Sequence, residues 1–483
     1  MTGSLRCFLY SAALGLFAVS TTRATGMGFG QARATGMAGA YTAVATGIHA
    51  PWWNPANLAA FPGPKLQVGI VNFGFLAGND GVTYGDFVDW VEDEKLQTTE
   101  IQQALNQFPG NSISFHQSAE VGGPLSFVLG RYAFSVGLVQ FANWGLPRGI
   151  VDAVSDSRSA SEVYQEAKTT GTRRDLSGVA GEAWAVAVFG LSHARLIDIN
   201  LFQRFAVGAT VNFYAASPRL KVVESTGEVL VRANTWQANS RLVMETAGIS
   251  VFRETVLENG EETKKIRTDG EVFAAWGLGL NLGVAGTWDH NISFSAALHN
   301  IPIRKITWKT AERRTLDINN GQKLINAKTV FDNKPEDADM LDYLDTLFAQ
   351  PGAKVGSFEK LGSTSTTVPA YARVGVARPF FGNFLTWTFD VEQGFSETAI
   401  TSTTPRVASG VEVRPLGRWL PLRAGMSIGG RAGHFAALGL GVNLWCFQLD
   451  VAVVNEGALT PFEVPFTKSA RGVGAAAEMK LSF

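Results

Sequence analysis

The sequence predicts an all-β fold: a transmembrane antiparallel β-barrel of about 14 strands, with an N-terminal lumenal hatch and short helices in its extracellular loops. Three observations favour it. The final strand alternates apolar and polar residues, about 14 segments of similar length recur along the chain, and short and long connections alternate between them. A soluble β-sandwich is the alternative, and it gives no reason for connections to be sorted in this way.

The C-terminal stretch Gly472–Phe483 has one apolar and one polar row, because side chains alternate faces along a strand. The apolar row is Ala475, Ala477, Met479, Leu481 and Phe483, and the polar row is Ala476, Glu478, Lys480 and Ser482. In a barrel the last strand pairs with the first, and the face toward lipid is apolar. We therefore expect this strand to close the barrel and to be bound by the barrel-assembly machinery through Phe483.

Charge and cysteine content exclude some classes of protein. A net charge of −1 argues against a nucleic-acid partner, which needs a basic surface. Met1–Ala24 is typical of a secretory signal, since Arg6 precedes the apolar run Cys7–Val19 and Thr22-Arg23-Ala24 places a small residue at both positions that determine cleavage. An N-terminal membrane anchor is the alternative, for which the apolar run is short. Cys7 falls in this removable segment, which leaves Cys446 without an internal disulfide partner. Beyond the signal no apolar run is long enough for a transmembrane helix, so the predicted location is the outer membrane, with the periplasm as the alternative.

The stretch Thr25–Phe61 is rich in Gly and Ala, nearly devoid of carboxylates, and lacks the period of a strand. Small residues suit a backbone that packs inside another structure. Asn54-Pro55 initiates a turn in which Asn54 is extended. We predict a compact plug here, which divides the chain into a signal peptide (1–24), a hatch (25–62) and a barrel (63–483).

Several of these residues resemble a known family. Arg33-Ala34, Gly39-Ala40, Asn54-Pro55-Ala56 and Phe61 are similar to the hatch of the FadL-type (OmpP1/TodX-like) long-chain fatty-acid channels of Gram-negative outer membranes, a group with divergent spirochaete relatives. The resemblance implies a hatch that fills the lumen and passive uptake of a long-chain fatty acid or another hydrophobic small molecule. The wider group includes scaffolds and secretion shuttles, so a non-transporting barrel that serves a partner protein is the alternative function.

Alternating segments recur through the rest of the chain. The predicted strands are Lys65–Leu76, Ala119–Leu129, Tyr132–Trp144, Glu182–Leu191, Arg204–Ala215, Phe273–Ala285, Asn291–Ile303, Pro369–Ala377, Phe384–Gln393, Arg406–Leu416, Leu420–Gly429, Phe435–Leu444, Phe447–Val454 and Gly472–Phe483. Short turns follow the even strands and long polar inserts mostly follow the odd ones. This asymmetry is typical of outer-membrane barrels, which have short periplasmic turns and long extracellular loops.

The rows within a strand predict which side chains face lipid. In Leu385–Glu392 the outward row is Leu385, Trp387, Phe389 and Val391, and the inward row is Thr386, Thr388, Asp390 and Glu392. Charges should face the lumen, because a charge facing lipid at the midplane costs about 2–4 kcal/mol. Tryptophans near strand ends are expected to form interfacial girdles; these are Trp144, Trp276, Trp288, Trp308, Trp387, Trp419 and Trp445.

Two inserts carry apolar stripes at helical spacing, Asp86–Phe108 and Pro335–Gln350. We expect the two stripes either to face each other as an extracellular apolar groove, which the resemblance favours, or merely to cap the barrel. The groove residues would be Phe87, Trp90, Val91, Leu105, Met340, Leu341, Leu344, Leu347 and Phe348.

Ligand contacts follow from parity and from the resemblance. Arg373 and Arg423 face inward by parity and are candidates for the ligand's head group, with Glu412, Asp390 or Asp450 expected to neutralise some of this charge. Salt bridges that rigidify the wall are the alternative role.

Two more features complete the predicted path of the ligand. Trp52 and Trp53 of the hatch are candidate ligand contacts. Gly122, Gly123 and Pro124 interrupt the second strand, and since proline cannot donate to a ladder, a weak point in the wall is predicted there.

No catalytic, metal or nucleotide motif is present in the sequence. We find no zinc spacing, P-loop or nucleophile elbow, and the six histidines are scattered. We expect no enzyme activity, no cofactor and no metal. An apolar pocket accepts fatty acids, aromatic hydrocarbons or quinone-like molecules alike, so the ligand's identity stays open.

Overall fold

The structure, a computed structural model, describes residues 30–79, 83, 85, 112–147, 172–175, 177–232, 235–258, 261–319, 323–324, 353–354, 358–398, 401–430, 433–457 and 470–483. Within these ranges no helix is long and apolar enough to cross a membrane. The predicted signal peptide and both predicted loop helices lie outside the described residues.

Strands dominate the described chain. In order they are β1 (Leu66–Asn79), β2 (Ser112–Gly122), β3 (Phe127–Leu129), β4 (Tyr132–Pro147), β5 (Thr172–Asp175), β6 (Ala180–Ile197), β7 (Arg204–Ala216), β8 (Arg219–Arg232), β9 (Thr235–Ala247), β10 (Ile249–Glu258), β11 (Glu261–Gly270), β12 (Ala275–Thr287), β13 (Ser293–Asn319), β14 (Lys323–Leu324), β15 (Ala353–Lys354), β16 (Phe358–Thr366), β17 (Tyr371–Phe380), β18 (Leu385–Gly394), β19 (Arg406–Val413), β20 (Leu422–Gly429), β21 (Phe435–Leu444), β22 (Phe447–Glu456) and β23 (Gly472–Ser482).

Fourteen strand positions close into one antiparallel barrel. Around the wall they run β1, β2 with β3, β4, β6, β7, β12, β13, β17, β18, β19, β20, β21, β22 and β23. β23 then pairs back with β1, from Gln67 opposite Ser482 to Gly78 opposite Gly472. This closure pairs the backbone groups of both edges, as a lipid environment requires. The predicted barrel is confirmed, and every predicted strand overlaps a wall position.

The two ends of the barrel differ. At one end the wall strands are joined by tight connections, which we call the short-turn end; they are residues 130–131, 198–203, 288–292, 381–384, 414–421 and 445–446. The longer connections leave from the opposite, long-loop end. Backbone hydrogen bonds between Leu66 and Phe483 place the start and the finish of the wall at the short-turn end.

The outward rows are apolar as predicted. Trp387 and Phe389 of β18 are exposed, whereas Thr388 and Asp390 are buried toward the lumen. β20 and β23 alternate in the same sense. At the short-turn end an exposed aromatic belt surrounds the wall, comprising Tyr132, Trp288, Phe381, Phe384, Trp419, Trp445 and Phe483. Such a belt is typical of a membrane interface.

One predicted girdle residue is wrong. Trp308 is fully buried, and its Nε1 donates to the carbonyl oxygen of Ser217 at 3.0 Å. Trp308 is the last residue of β13 that pairs with β12, opposite Ala275, and it also pairs with Thr364 of β16. Because β13 continues to Asn319, Trp308 lies within the strand and not near its end.

The inserts, for which the sequence predicts polar loops, contain further strands. β8 pairs with β9, β9 pairs with the distal half of β13, and β10 with β11 forms a separate two-stranded sheet. A strand outside the barrel wall does not need one face that is uniformly apolar. These insert strands therefore lack the regular alternation of the wall strands.

Short helices shape the N-terminal segment. They are α1 (Ala32–Thr35), a 3₁₀ turn (Gly47–His49), α2 (Ala50–Trp53) and α3 (Asn57–Ala60). Pro51 lies in the first turn of α2, where its missing N–H is tolerated. α2 ends at Asn54, which is extended at φ −164° and ψ 113°, as predicted for a residue before proline.

Candidate functional site: the plug inside the barrel

Residues 30–61, which we call the plug, lie against the inward face of the wall. They contact strands on opposite sides of the barrel: α1 touches β21, β22 and β23, and α3 touches β6, β7 and β12. Most plug side chains are buried. The segment is therefore enclosed by the wall, and the division of the chain at residues 24 and 62 stays a prediction.

Glycines of the inward rows make room for the plug. These wall glycines and the plug residues that they face are Gly137 with Trp52, Gly208 with Ala56, Gly283 with Asn54, Gly375 with Thr42, Gly410 and Gly425 with Met37, and Gly439 with Gly36. A Cβ built on Gly375 would lie 2.9 Å from Cβ of Thr42. Any larger residue at these positions would displace the plug, because such contacts are closer than packed atoms allow. We call these positions the glycine seats.

The Asn54-Pro55-Ala56 turn is fixed by neutral hydrogen bonds. Oδ1 of Asn54 accepts the N–H of Ala56 at 2.9 Å, which closes the turn. Its Nδ2 donates to the carbonyl oxygens of Val284 and Ala296 at 2.9 and 3.0 Å and to Oγ of Ser295 at 2.6 Å. A single buried amide thus bonds the plug to both β12 and β13.

The opposite side of the plug is held by charge. Glu412 accepts hydrogen bonds from Arg33 Nε at 2.9 Å and from Arg423 Nε at 2.6 Å. Arg423 Nη1 donates to Asp450 at 2.7 Å, and Lys480 Nζ donates to the same carboxylate at 3.3 Å. These groups, apart from the partly exposed Arg33, are almost completely buried. A buried charge must be paired, so removing one partner is costly.

This charged network continues into the plug through His49. Its Nε2 contacts the carboxylate of Glu478, and its Nδ1 lies 2.8 Å from the hydroxyl of Tyr41. Burial lowers the pKa of His49, although the attraction to Glu478 acts in the opposite direction. Burial also raises the pKa of Tyr41. A neutral His49 can donate from Nε2 to Glu478 while Nδ1 accepts the Tyr41 O–H.

A second ionic group lies under Trp53. Arg373 stacks its guanidinium 4.1 Å from the ring centroid of Trp53 and donates to Glu392 at 2.6 Å. Arg406 also donates to Glu392, at 3.3 Å, and to the carbonyl oxygen of Ala38 at 3.0 Å. Glu392 therefore joins two wall arginines that both touch the plug.

An aromatic cluster covers the plug toward the long-loop end. It includes Trp52 and Trp53 of the plug and Phe141, Trp184 and Trp308 of the wall. Phe141 packs edge-on against Trp184 at 4.8 Å between ring centroids, and Trp184 packs against Trp308 at 5.9 Å. We call this group the aromatic band. Its side chains are apolar and at most 9% exposed.

The structure brings together most of the predicted lumenal residues. Arg33, Gly39 and Asn54-Pro55-Ala56 all lie at the plug–wall contact, with Gly39 at φ +78° beside Arg406. Arg423 is paired with Glu412 and Asp450, and Arg373 with Glu392, so both form the salt bridges given as the alternative role. The residues of the predicted loop groove lie outside the described residues.

The second wall strand is interrupted where predicted. β2 ends at Gly122, β3 begins at Phe127, and both pair with β1 and β4. Ser126 spans the interruption: its Oγ accepts the N–H of Val136 at 2.9 Å, and its carbonyl oxygen accepts the N–H of Gly69 at 2.9 Å. An opening through this part of the wall stays a prediction.

Sequence reasoning missed the glycine seats, Asn57 and His49. Asn57 Nδ2 donates to the carbonyl oxygens of Thr42 and Ala45 at 2.8 and 3.0 Å, which holds the plug's own fold. A signal for the seats is present, because glycine recurs in the inward rows, as in Gly277, Gly279 and Gly283 of β12. Glycine inside a strand often marks the close approach of another backbone. His49 carries no comparable sequence signal.

Comparisons with known proteins give a family. The profile of a family described as "Family of unknown function (DUF5723)" matches residues 55–453. No curated protein matches the chain. Membership of the FadL-type family stays a prediction.

Three of the solved structures to which the chain is similar are the following. A Pseudomonas aeruginosa FadL homologue is 13% identical, with 96% of this chain and 99% of that chain covered and a TM-score of 0.42. The CymD monoaromatic hydrocarbon channel is 11% identical over 95% and 98% of the chains, with a TM-score of 0.43. A TodX monoaromatic hydrocarbon channel mutant is 12% identical over 90% and 94%, with a TM-score of 0.44.

Proposed function

The chain belongs to DUF5723, a family of unknown function, and we propose that it is an outer-membrane channel for passive uptake of hydrophobic small molecules, with long-chain fatty acids as its ligands. The observation that carries this proposal is the aromatic band, which joins the wall to a plug that hydrogen bonds and ion pairs hold in the lumen. Apolar outward rows and an interfacial aromatic belt support the membrane location.

The proposed path of the ligand leads past the aromatic band, then Arg373, and then the plug. An apolar solute enters from the long-loop end and binds between the aromatic rings of Trp184 and Trp308 and the plug residue Trp53. A carboxylate head group is met by Arg373, which borders the band, rather than by Arg423, which is enclosed by two carboxylates. Binding displaces Trp53 from Arg373, and the plug then shifts to open the way to the short-turn end.

Uptake tests the proposal. A Gram-negative host without its own fatty-acid channel would express the chain, and radiolabelled oleate would be followed beside a hydrophilic sugar. We expect oleate uptake to increase and sugar uptake to stay unchanged. Trp184→Ala should reduce oleate uptake, whereas Trp288→Ala, which removes an exposed tryptophan at the short-turn end, should not. No oleate uptake by correctly inserted protein would contradict the proposal.

A reversible lock tests plug movement. A Cβ built on Gly30 lies 3.1 Å from Cβ of Glu120 on β2, close to the separation of about 3.5–4.5 Å in disulfides. Gly30→Cys with Glu120→Cys, in a Cys446→Ser background, should block uptake when oxidised and restore it on reduction. Each single cysteine variant serves as the control. Equal uptake by the oxidised and reduced forms would exclude movement at this end of the plug.

The glycine seats favour a second candidate function, a non-transporting scaffold or secretion shuttle for a partner protein. Tight seating keeps the lumen occluded, as this role requires. The same assays separate the two candidates. A scaffold gives no oleate uptake in either redox state, whereas deletion of the gene would still remove the partner protein from the cell surface.

A further inference from the structure

We infer that the outer wall carries a binding site for one glycerophospholipid, with its phosphate at Arg195 and an acyl chain in a groove across β6, β7, β12, β13 and β17. The groove has a volume of about 630 Å³, within the range of about 300–1,000 Å³ typical of small-molecule sites. This inference rests on the membrane location in the proposed function and is independent of uptake.

Two neighbouring rungs of the sheet form the groove. One rung runs from Arg195 through Val207, Val284 and Ala296 to Val374. The other runs from His193 through Ala209, Leu282 and Leu298 to Ala372. The alanines are the small residues of these outward rows, and they form a depression between leucine and valine side chains. In a membrane an acyl chain is the molecule available to fill it.

The groove climbs from the membrane surface toward the hydrocarbon interior. Arg195 lies two residues before β6 ends at Ile197, at the short-turn end. Val374 lies six residues before β17 ends at Phe380, also at the short-turn end. A lipid that keeps its head at the interface beside Arg195 can therefore extend its chain along the rungs toward Val374.

The charge at the lower end of the groove matches a phosphate. Arg195 is exposed on the outward face, and within the described residues it has no ion-pair partner. An arginine facing lipid is tolerated near an interface, where its guanidinium can bind a phosphate with two hydrogen bonds. Next to it His193 stacks on Tyr132 at 4.4 Å between ring centroids, and tyrosine is typical of the headgroup level.

The wall behind the groove is one backbone thick. Gly208 and Gly283 line the groove from outside, and the same two glycines are seats for Ala56 and Asn54 of the plug. The absence of side chains on their inward face leaves only the sheet between the lipid and the Asn54-Pro55-Ala56 turn. A lipid bound here would therefore stiffen the part of the wall that holds the turn.

Native mass spectrometry of the detergent-extracted full chain, with phosphatidylglycerol added at increasing concentration, tests the site. Wild type should retain one lipid more tightly than any further lipid. Arg195→Gln should weaken this retention about tenfold, since it removes a charged hydrogen-bonding partner. Ala296→Leu should also weaken it by filling the groove.

Two matched substitutions control for the effects of charge and bulk. Arg418→Gln removes an exposed arginine from another turn at the short-turn end, and Ala477→Leu adds the same bulk to the outward row of β23. Both should retain lipid like wild type. The fold of each variant is checked by gel electrophoresis, in which a folded barrel keeps its mobility when it is heated in SDS.

Three outcomes would overturn the inference. The first is that all four variants retain the lipid equally well. The second is that a phosphate-free detergent of the same chain length competes for the site as well as the phospholipid does. The third is that the two control variants lose the lipid as the two groove variants do. The channel proposal fails separately, through an absence of oleate uptake by protein that still retains the lipid.

Discussion

Replacing Glu412 by glutamine should release the start of the plug without opening the barrel. Glu412 is 1% exposed and is shared by three arginines, Arg33, Arg414 and Arg423. After Glu412→Gln, Arg423 keeps Asp450 at 2.7 Å, and Arg414, which is 30% exposed, can turn to water. Arg33 loses its carboxylate while it is only 20% exposed, so the cost falls mainly on α1.

The free-energy cost of Glu412→Gln can be worked out from what each of the three arginines loses. Removing one partner of a buried ion pair costs about 3–5 kcal/mol, and the partial exposure of Arg33 places the cost at the lower end, about 3 kcal/mol. The population with α1 detached should therefore rise roughly 100-fold. The amide groups of Gly36 and Gly39, which donate to Ala32 and Ala34, should exchange with deuterium faster by this factor.

Hydrogen–deuterium exchange in detergent micelles measures the difference. Glu182→Gln is the matched control, because Glu182 of the wall strand β6 pairs at 2.7 Å with Arg219 of the insert strand β8, away from the contacts described for the plug. Equal exchange of α1 in the two variants would refute the assignment of Glu412 to plug seating. Acceleration throughout the wall strands of Glu412→Gln would show instead that Glu412 stabilises the barrel.

Three further outcomes follow from the plug and the wall. Gly375→Ala should make the plug more sensitive to protease, at a cost of about 1–3 kcal/mol from overpacking, whereas Gly63→Ala, whose nearest atoms are at 3.7 Å, should not. Because the pKa of His49 is lowered in the seated plug, the released plug binds a proton that the seated plug does not. Seating should therefore weaken as the pH falls through about 6.5, the ordinary pKa of histidine. In the same protease assay, His49→Gln should make seating less dependent on pH. Ser126→Ala should speed deuterium exchange at Val136 by removing a hydrogen bond worth about 1 kcal/mol, and unchanged exchange there would show that the interruption needs no side-chain bridge.

The wall could be predicted because lipid imposes a simple rule on it. In β18 every second residue points outward, and the row from Leu385 to Val391 is apolar, as a lipid-facing row must be. The rule needs no knowledge of partners, so strand positions and faces follow from local sequence. It also identifies the inward charges, and the expectation that Glu412 and Asp450 neutralise Arg423 is confirmed.

This alternation rule applies only to the strands of the barrel wall. β13 continues to Asn319, and Trp308, which looks like a girdle residue from its place near a predicted strand end, instead lies within the strand and packs against Trp184. Strands such as β8 and β9 pair in water, where both faces can carry charge. Their existence depends on pairing with distant parts of the chain, which a single local pattern does not encode.

The partners of the plug are likewise non-local, which limits what its sequence can tell. Asn54 and Arg33 stand out by residue type, but the acceptors on Ser295 and Glu412 are more than 200 residues away. The glycine seats could have been found by reading glycines on the inward rows as contact points for a second backbone. They are explained only when the wall and the plug are considered together.

The distribution of contacts around the plug indicates where movement begins. Ion pairs hold the plug on the side of β19 to β23, and neutral hydrogen bonds from Asn54 hold it on the side of β12 and β13. Trp53, which belongs to the aromatic band, directly precedes Asn54 and stacks on Arg373, whereas Arg33 of α1 lies on the charged side. A ligand that displaces Trp53 therefore strains the neutral anchor first. Losing a neutral hydrogen bond costs less than leaving one partner of a buried ion pair alone. The Asn54 turn should therefore detach from the wall first, while α1 stays bound through Arg33, so that the plug rotates about its charged side.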